Sequence, residues 1–272
     1  KTSEALTAMR SCSAKRAWPK KMRESTAQKL AHNASTVTKP SIGSPSGGSI
    51  EFDSVDVTSG RRNREARRKL QMVFQNPDNA LNPSHSVRTI LRRSLELLAG
   101  VRGKDRQDEE MNDLARSVRL EPRHLDVRPS ALSGGLKQRV AIARSFAGSP
   151  SLILCDEPTS ALDVSVQAAI LNLLVDLQRR EGVSYVFISH DLAVVRYVAD
   201  RIAVMYLGQL VDVGPADAVF QAPHHPYTQA LLSAIPTLDP DAKTRMKLHG
   251  TLPSPSDPPS GCRFHTRCPR FL

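Results

Sequence analysis

Two short apolar runs, residues 151–155 and 184–188, constrain this chain more than any other feature. Leu152-Ile153-Leu154-Cys155 and Tyr185-Val186-Phe187-Ile188 contain no polar break, the pattern of strands buried on both faces of a parallel sheet. Between them, Ala169, Ile170, Leu173, Leu174 and Leu177 recur at helical spacing over 166–177. Strand, helix, strand at this spacing predicts parallel neighbours joined by a crossover helix, hence an α/β core. The alternation continues with a helix over 192–199. Segments 202–206 and 209–213 then flank Gly208 as a hairpin.

Upstream, the alternating residues 49–57 and the apolar run 70–74 read as further strands, with a basic stretch over 61–69 before the second. Val87, Ile90, Leu91, Leu95 and Leu98 predict a helix over 87–98. The charged residues 102–110 read as a solvated connection, and 111–120 as a second helix, so 85–135 forms a helical block. From residue 236 the chain is rich in Pro and Ser, which predicts a mostly irregular extension over 236–272.

With 272 residues there is ample chain for one large domain or two modest ones. No apolar run approaches the ~18 residues of a membrane-spanning helix, so a polytopic membrane protein is excluded. Four cysteines, widely spread, exclude a disulfide scaffold and suit a reducing cytosol. The net charge of +11 is concentrated in the first 50 residues, which hold nine Lys/Arg against two acids. That segment has one aromatic residue, Trp18, and no apolar stripe, so composition predicts a loose, disordered 1–46 rather than a nucleic-acid-binding arm. Its Ser-rich, acid-poor makeup also has the character of a transit peptide.

Three places carry chemistry. Leu132-Ser133-Gly134-Gly135-Leu136-Lys137-Gln138 puts a capping Ser and two glycines before an apolar-periodic helix, an arrangement that leaves backbone N–H groups open to a phosphate. Taken alone it also suits an ordinary capped helix. The strand at 151–155 runs into Asp156-Glu157, two carboxylates at the end of a buried strand, where α/β proteins bind ligands. There Asp156 can hold Mg²⁺ through water and Glu157 can polarise an attacking water. His190 follows the next strand and can reach a γ-phosphate, although a strand-end His is also commonly structural.

Together with Gln75 in Val73-Phe74-Gln75-Asn76-Pro77 and Asp163 in Ser160-Ala161-Leu162-Asp163, these segments occur in the order of an ABC-type ATPase, which residues 48–272 resemble. Pro223-His224-His225-Pro226-Tyr227-Thr228 and Gly261-Cys262-Arg263-Phe264-His265 resemble the ATP-binding subunits of oligopeptide/dipeptide and nickel importers. The resemblance implies a P-loop-type core with an inserted helical subdomain, over 47–235. It implies ATP and Mg²⁺ as ligands, with Gln75 and Asp156 on the metal. Glu157 would be the catalytic base and His190 the switch histidine. Ser133, Gly134 and Gly135 would contact the γ-phosphate of ATP held by the opposite subunit, with Gln138 in the same signature helix, and Asp163 would cross the dimer interface. The implied partners are a second ATPase subunit, identical or not, transmembrane permease subunits and, indirectly, a substrate-binding protein. The implied place is the cytoplasmic face of the membrane. Related C-terminal cysteine clusters can hold an iron–sulfur centre, but Cys262 and Cys268 fall short of the four thiolates such a centre wants.

One part is missing. The phosphate loop, G-x-x-x-x-G-K-[ST], is expected some 20 residues before Gly48, where the chain reads Glu24-Ser25-Thr26-Ala27-Gln28-Lys29-Leu30-Ala31-His32. No such motif occurs in these 272 residues. Without it the chain's own nucleotide site is expected to be impaired. The abrupt break fits a frameshift, a misassembled gene or a wrong start, which resequencing the gene would decide, or a degenerate subunit that completes a partner's site. The sequence therefore leads to a subunit that powers peptide import by ATP hydrolysis. A non-catalytic subunit or pseudogene product, and a soluble ABC-type ATPase acting on nucleic acid or ribosomes, stay open beside it.

Overall fold

The computed structural model describes residues 4–10, 49–58, 63–221, 224–235 and 246–271. Its elements run β1 (Glu4–Arg10), β2 (Glu51–Phe52), β3 (Val55–Asp56), α1 (Arg64–Lys69), β4 (Leu70–Val73), α2 (Val87–Ser94), α3 (Lys104–Ser117), α4 (Gly134–Phe146), β5 (Leu152–Asp156), α5 (Val164–Glu181), β6 (Ser184–Ser189), α6 (Leu192–Val198), β7 (Arg201–Tyr206), β8 (Gln209–Pro215), α7 (Ala216–Gln221) and α8 (Pro226–Ser233). They fall into two compact units, one holding described residues 49–186 and the other 4–10 and 187–271.

In the first unit β4 and β5 are parallel, Leu70 opposite Leu152 and Val73 opposite Cys155. Ile153, Leu154 and Cys155 are buried, as expected of a strand covered on both faces. The covering helices are α4, which buries Val140, Ile142, Ala143 and Phe146, and α5, which buries Ile170, Leu173, Leu174 and Leu177. Tyr185 Oη donates to the Leu174 carbonyl at 2.9 Å, so β6 begins beside α5. Both helices start on residues with extended backbone, Ser133 and Asp163, and α5 stops at Gly182 with φ +69°. That left-handed C-cap costs a glycine little.

The helical block contains one departure from expectation. Within the expected solvated connection 102–110, residues 104–110 form the first half of α3. One of their charges, Asp108, is paired across to Arg92 of α2, and Arg88 of the same α2 binds Asp126, beyond α3, in a bidentate pair at 2.6 and 3.0 Å. Met111 and Ala115 bury the other side of the helix. A run of charges reads as solvent-facing only when its partners, 16 and more residues away, are not considered. Beyond Ser94, α2 widens into a π-helical turn, Leu95–Ala99, closed by Gly100 at φ +74°.

In the second unit β1 pairs antiparallel with β7, Glu4 opposite Tyr206 through Met9 opposite Arg201. The loose segment expected over 1–46 otherwise lies outside the described residues. The expected hairpin forms as β7 and β8, turning at Leu207 and Gly208, both with positive φ. The C-terminal residues 246–271 are irregular apart from a single turn, His265–Arg267. They are anchored by Phe264, which is fully buried and packs edge-on to Tyr206 at 5.1 Å and against Tyr227 at 5.5 Å. Asp212 supports the same corner by accepting from the His225 N–H at 3.0 Å and from the Thr228 hydroxyl.

Candidate functional site

Asp156 ends β5 and Glu157 follows it out of the strand, both half-buried. Burial, and then the neighbouring Glu157 charge, push the Asp156 carboxyl up to about 6. Two adjacent carboxylates, one of them reluctant to ionise, are a hard-oxygen set that a divalent cation suits. Glu157 has φ +44°, the left-handed region that a residue with a Cβ enters at a cost of order 1 kcal/mol or more. Its carbonyl is held there by two donors from Ser160, the N–H at 3.2 Å and the hydroxyl at 3.1 Å.

Gln75 leaves the parallel neighbour β4 and reaches the same point. Its Nε2 donates to Glu157 Oε2 at 3.0 Å and to Ser160 Oγ at 3.1 Å. The turn after it, Pro77–Asn79, is capped by the Asn76 side chain, which accepts from the Asp78 N–H. Asp78 in turn pairs with Lys137 of α4 at 2.9 Å. The Gln75 loop is thus fixed at one end to the acidic strand end and at the other to the helix that begins with Ser133.

At that helix start, the Ser133 hydroxyl accepts from the Leu136 N–H at 3.4 Å, and Ser133 and Gly134 are exposed. Gly135 is constrained by packing: a Cβ there would come within 2.6 Å of Val166 Cγ1. Gln138 behaves differently from its neighbours. It is buried on the inner face of α4, and neither of its amide atoms is hydrogen-bonded among the described residues. Asp163 precedes α5 without using its carboxylate as a cap, and next to it Val164 is 84% exposed.

His190 lies in the second unit, exposed at the end of β6. The next residue, Asp191, caps α6 by accepting from the Ala193 and Val194 N–H groups at 2.8 and 3.3 Å. The structure therefore brings together Gln75, Asp156, Glu157, Ser160 and, through Lys137, the Ser133 segment, all in one unit. Sequence reasoning missed Ser160 and the Asp78–Lys137 pair. The only signal for Ser160 was a hydroxyl three residues after a carboxylate, the spacing of a side-chain-closed turn. Among the described residues no group of three or more His, Cys, Asp or Glu forms a metal site, and Cys262 and Cys268 are free thiols.

A parallel sheet edge with Gln75 and two carboxylates, covered by α4 and α5, is the arrangement of an ABC ATPase domain. The sequence matches the ABC transporter family over residues 35–160, and the oligopeptide/dipeptide transporter C-terminal region over 211–271. The first match begins upstream of the residue-48 boundary read from the sequence, yet downstream of Glu24–His32. The dipeptide transport ATP-binding protein DppF of Escherichia coli is 47% identical over 229 residues, which is 83% of this chain and 68% of that protein. The di/tripeptide transport ATP-binding protein DppF of Pseudomonas aeruginosa is 46% identical over 231 residues, 84% of this chain and 71% of that protein. A Sinorhizobium fredii protein, "Probable peptide ABC transporter ATP-binding protein y4tS", is 48% identical over 83% of this chain and 64% of its own length. The chain thus spans about two thirds of the relatives it matches.

Solved structures agree. The ATP-binding cassette MJ0796, a dimer in a post-hydrolysis state bound to ADP and Pi, superposes with TM-score 0.56 at 28% identity, over 64% of this chain and 76% of that one. CbiO1 of Clostridium perfringens, part of the ABC transporter complex cbiONQ, gives 0.59 at 27%, over 71% and 75%. The chain belongs to the ABC transporter ATP-binding family, in its oligopeptide/dipeptide branch.

Proposed function

We propose that this chain is the ATP-binding subunit of a peptide-type ABC importer, lying on the cytoplasmic face of the membrane against transmembrane permease subunits. The observation that carries the reading is the Gln75–Glu157–Ser160 network beside Asp156, joined to a C-terminal region of oligopeptide/dipeptide-transporter type. Among the described residues no helix is long and apolar enough to cross a membrane, which accords with a chain that meets its transport path through partners.

In this reading Glu157 polarises the attacking water, and a carboxylate within reach of that water contributes ~10²–10⁴-fold. Asp156 and the carbonyl oxygen of Gln75 would hold Mg²⁺, whose donor preference they match. The ion, when bound, offsets charge on the phosphates. His190 contacts the γ-phosphate. Ser133, Gly134 and Gly135 present an open helix start to the nucleotide of a second ATPase subunit. Exposed Asp163 and Val164 face that subunit, since a large apolar side chain left in water at a helix start suits a contact surface.

The phosphate loop is the exception. With no G-x-x-x-x-G-K-[ST] in these 272 residues, the sequence motif that gives the β/γ-phosphates their backbone cradle is absent, and the chain's own affinity for nucleotide is expected to be low. We therefore assign nucleotide binding and hydrolysis to the subunit pair rather than to the isolated chain: Ser133–Gly135 complete the partner's site, and the Glu157 site of this chain fills only when the partner closes on it. The test is equilibrium binding of a fluorescent ATP analogue with Mg²⁺, first to the folded chain alone, then to the chain mixed with a phosphate-loop-containing ATPase subunit. Binding is expected in the mixture and to weaken when Ser133→Arg is introduced here. Micromolar binding by the isolated chain would overturn the assignment.

A further inference from the structure

The Gln75 amide has two N–H donors and one carbonyl acceptor. Both donors are spent inside the site, on Glu157 Oε2 at 3.0 Å and on Ser160 Oγ at 3.1 Å. The assignment of nitrogen and oxygen is not arbitrary here. An ionised carboxylate only accepts, so the amide nitrogen must face Glu157. Ser160 Oγ sends its own proton to the Glu157 carbonyl at 3.1 Å, so it too has only a lone pair left for Gln75. Two acceptors side by side hold the amide in one orientation, and its carbonyl oxygen must point away from them.

From this we infer that Ser160 is a positioning residue for the hydrolysis proposed above, on which the inference rests: its hydroxyl is the second acceptor that, beside Glu157, locks the Gln75 amide with its nitrogen toward the carboxylate and its oxygen toward the ligand. The same hydroxyl has a second task. With the Ser160 N–H it holds the carbonyl of Glu157, whose backbone sits at φ +44°. Remove it and Glu157 loses one of the two donors restraining a strained conformation, while Gln75 loses one of the two acceptors that fix its amide. Both the water-polarising carboxylate and the cation-facing oxygen then become free to turn.

Two readouts test this on Ser160→Ala and Ser160→Thr, the second keeping a hydroxyl. In the isolated, isotope-labelled full chain, the side-chain NH₂ resonances of Gln75 report the amide directly. Ser160→Ala is expected to move one of the two proton signals upfield and to speed exchange of the Ser160 amide, with Ser160→Thr keeping the wild-type pattern. Unchanged Gln75 signals in Ser160→Ala, or equal loss in both variants, would overturn the clamp. The second readout is phosphate release by the assembled transporter. Ser160→Ala is expected to lower kcat about fivefold, the worth of one hydrogen bond of ~1 kcal/mol, and Ser160→Thr to restore it. A kcat equal to wild type in Ser160→Ala would overturn the positioning role. A wild-type assembly that releases no phosphate would instead remove the hydrolysis reading, leaving the clamp to be decided by the Gln75 signals alone.

Discussion

Glu157 combines a half-buried carboxylate, a left-handed backbone and a fixed amide partner, and each follows from a different neighbour. Glu157→Gln keeps the size and the Gln75 contact but removes the base. We expect nucleotide binding by the subunit pair to persist while phosphate release falls by ~10²–10⁴-fold, read as single-turnover rate against analogue affinity. Gly135 answers to volume as well as to its place at the helix start. Gly135→Ala would press a methyl against Val166, at a cost of about 1–3 kcal/mol read as a lower melting temperature. The double variant Gly135→Ala/Val166→Ala should recover part of that loss, and no recovery would mean that the glycine serves another purpose. Asp156 and Glu157 were readable as a pair from their place after an apolar run. Ser160 was not, because its role depends on where the backbone of Glu157 turns, and nothing in the residue names shows a positive φ.

Among the elements, α2 and α3 are joined by charge, and this sets a pH dependence. Arg88 holds the Asp126 carboxyl, and Arg92 the Asp108 carboxyl, below the ordinary carboxylate value, in each case chiefly through the hydrogen bond. A carboxylate depressed in the folded state adds stability that is fully present above its unfolded pKa, near 3.8, and is lost as pH falls through the lower folded value. Asp126→Asn should therefore lower stability at pH 7 and make progressively less difference as the pH falls below 3.8, measured as urea midpoints across pH. A midpoint deficit that stayed constant down to acid pH would refute the assignment. The C-terminal extension is tied to the β7–β8 hairpin by packing. Phe264→Ala removes a fully buried ring that packs on the Tyr206–Tyr227 pair, at a cost of ~3–5 kcal/mol, and should expose the extension to protease. The helix periodicity of α5 and the apolar runs of β5 and β6 were legible because each buries one continuous face. The first half of α3 was not, since its Asp108 is held by Arg92 of α2, a partner that lies apart in sequence.

At the scale of the whole molecule, activity is expected only from an assembly. The subunit pair should associate more tightly with MgATP when Glu157 is replaced by Gln, visible by light scattering, because a bound nucleotide that is not cleaved keeps the contact closed. Equal association with and without nucleotide would refute a nucleotide-bridged pair. The amino-acid sequence by itself determined the class: apolar runs long enough to be buried strands, an amphipathic helix between them, and phosphate- and cation-seeking residues at the strand and helix ends. These are local properties, set by the period of apolar residues and by the chemistry of single side chains. The tertiary structure alone decided that Gln75 and Ser160, 85 residues apart, share one amide, and that Lys137 reaches Asp78. It also turned Gln138 inward, and placed Phe264 under the hairpin. Those outcomes depend on the register of β4 on β5 and the way α4 and α5 pack over them, which no local pattern encodes.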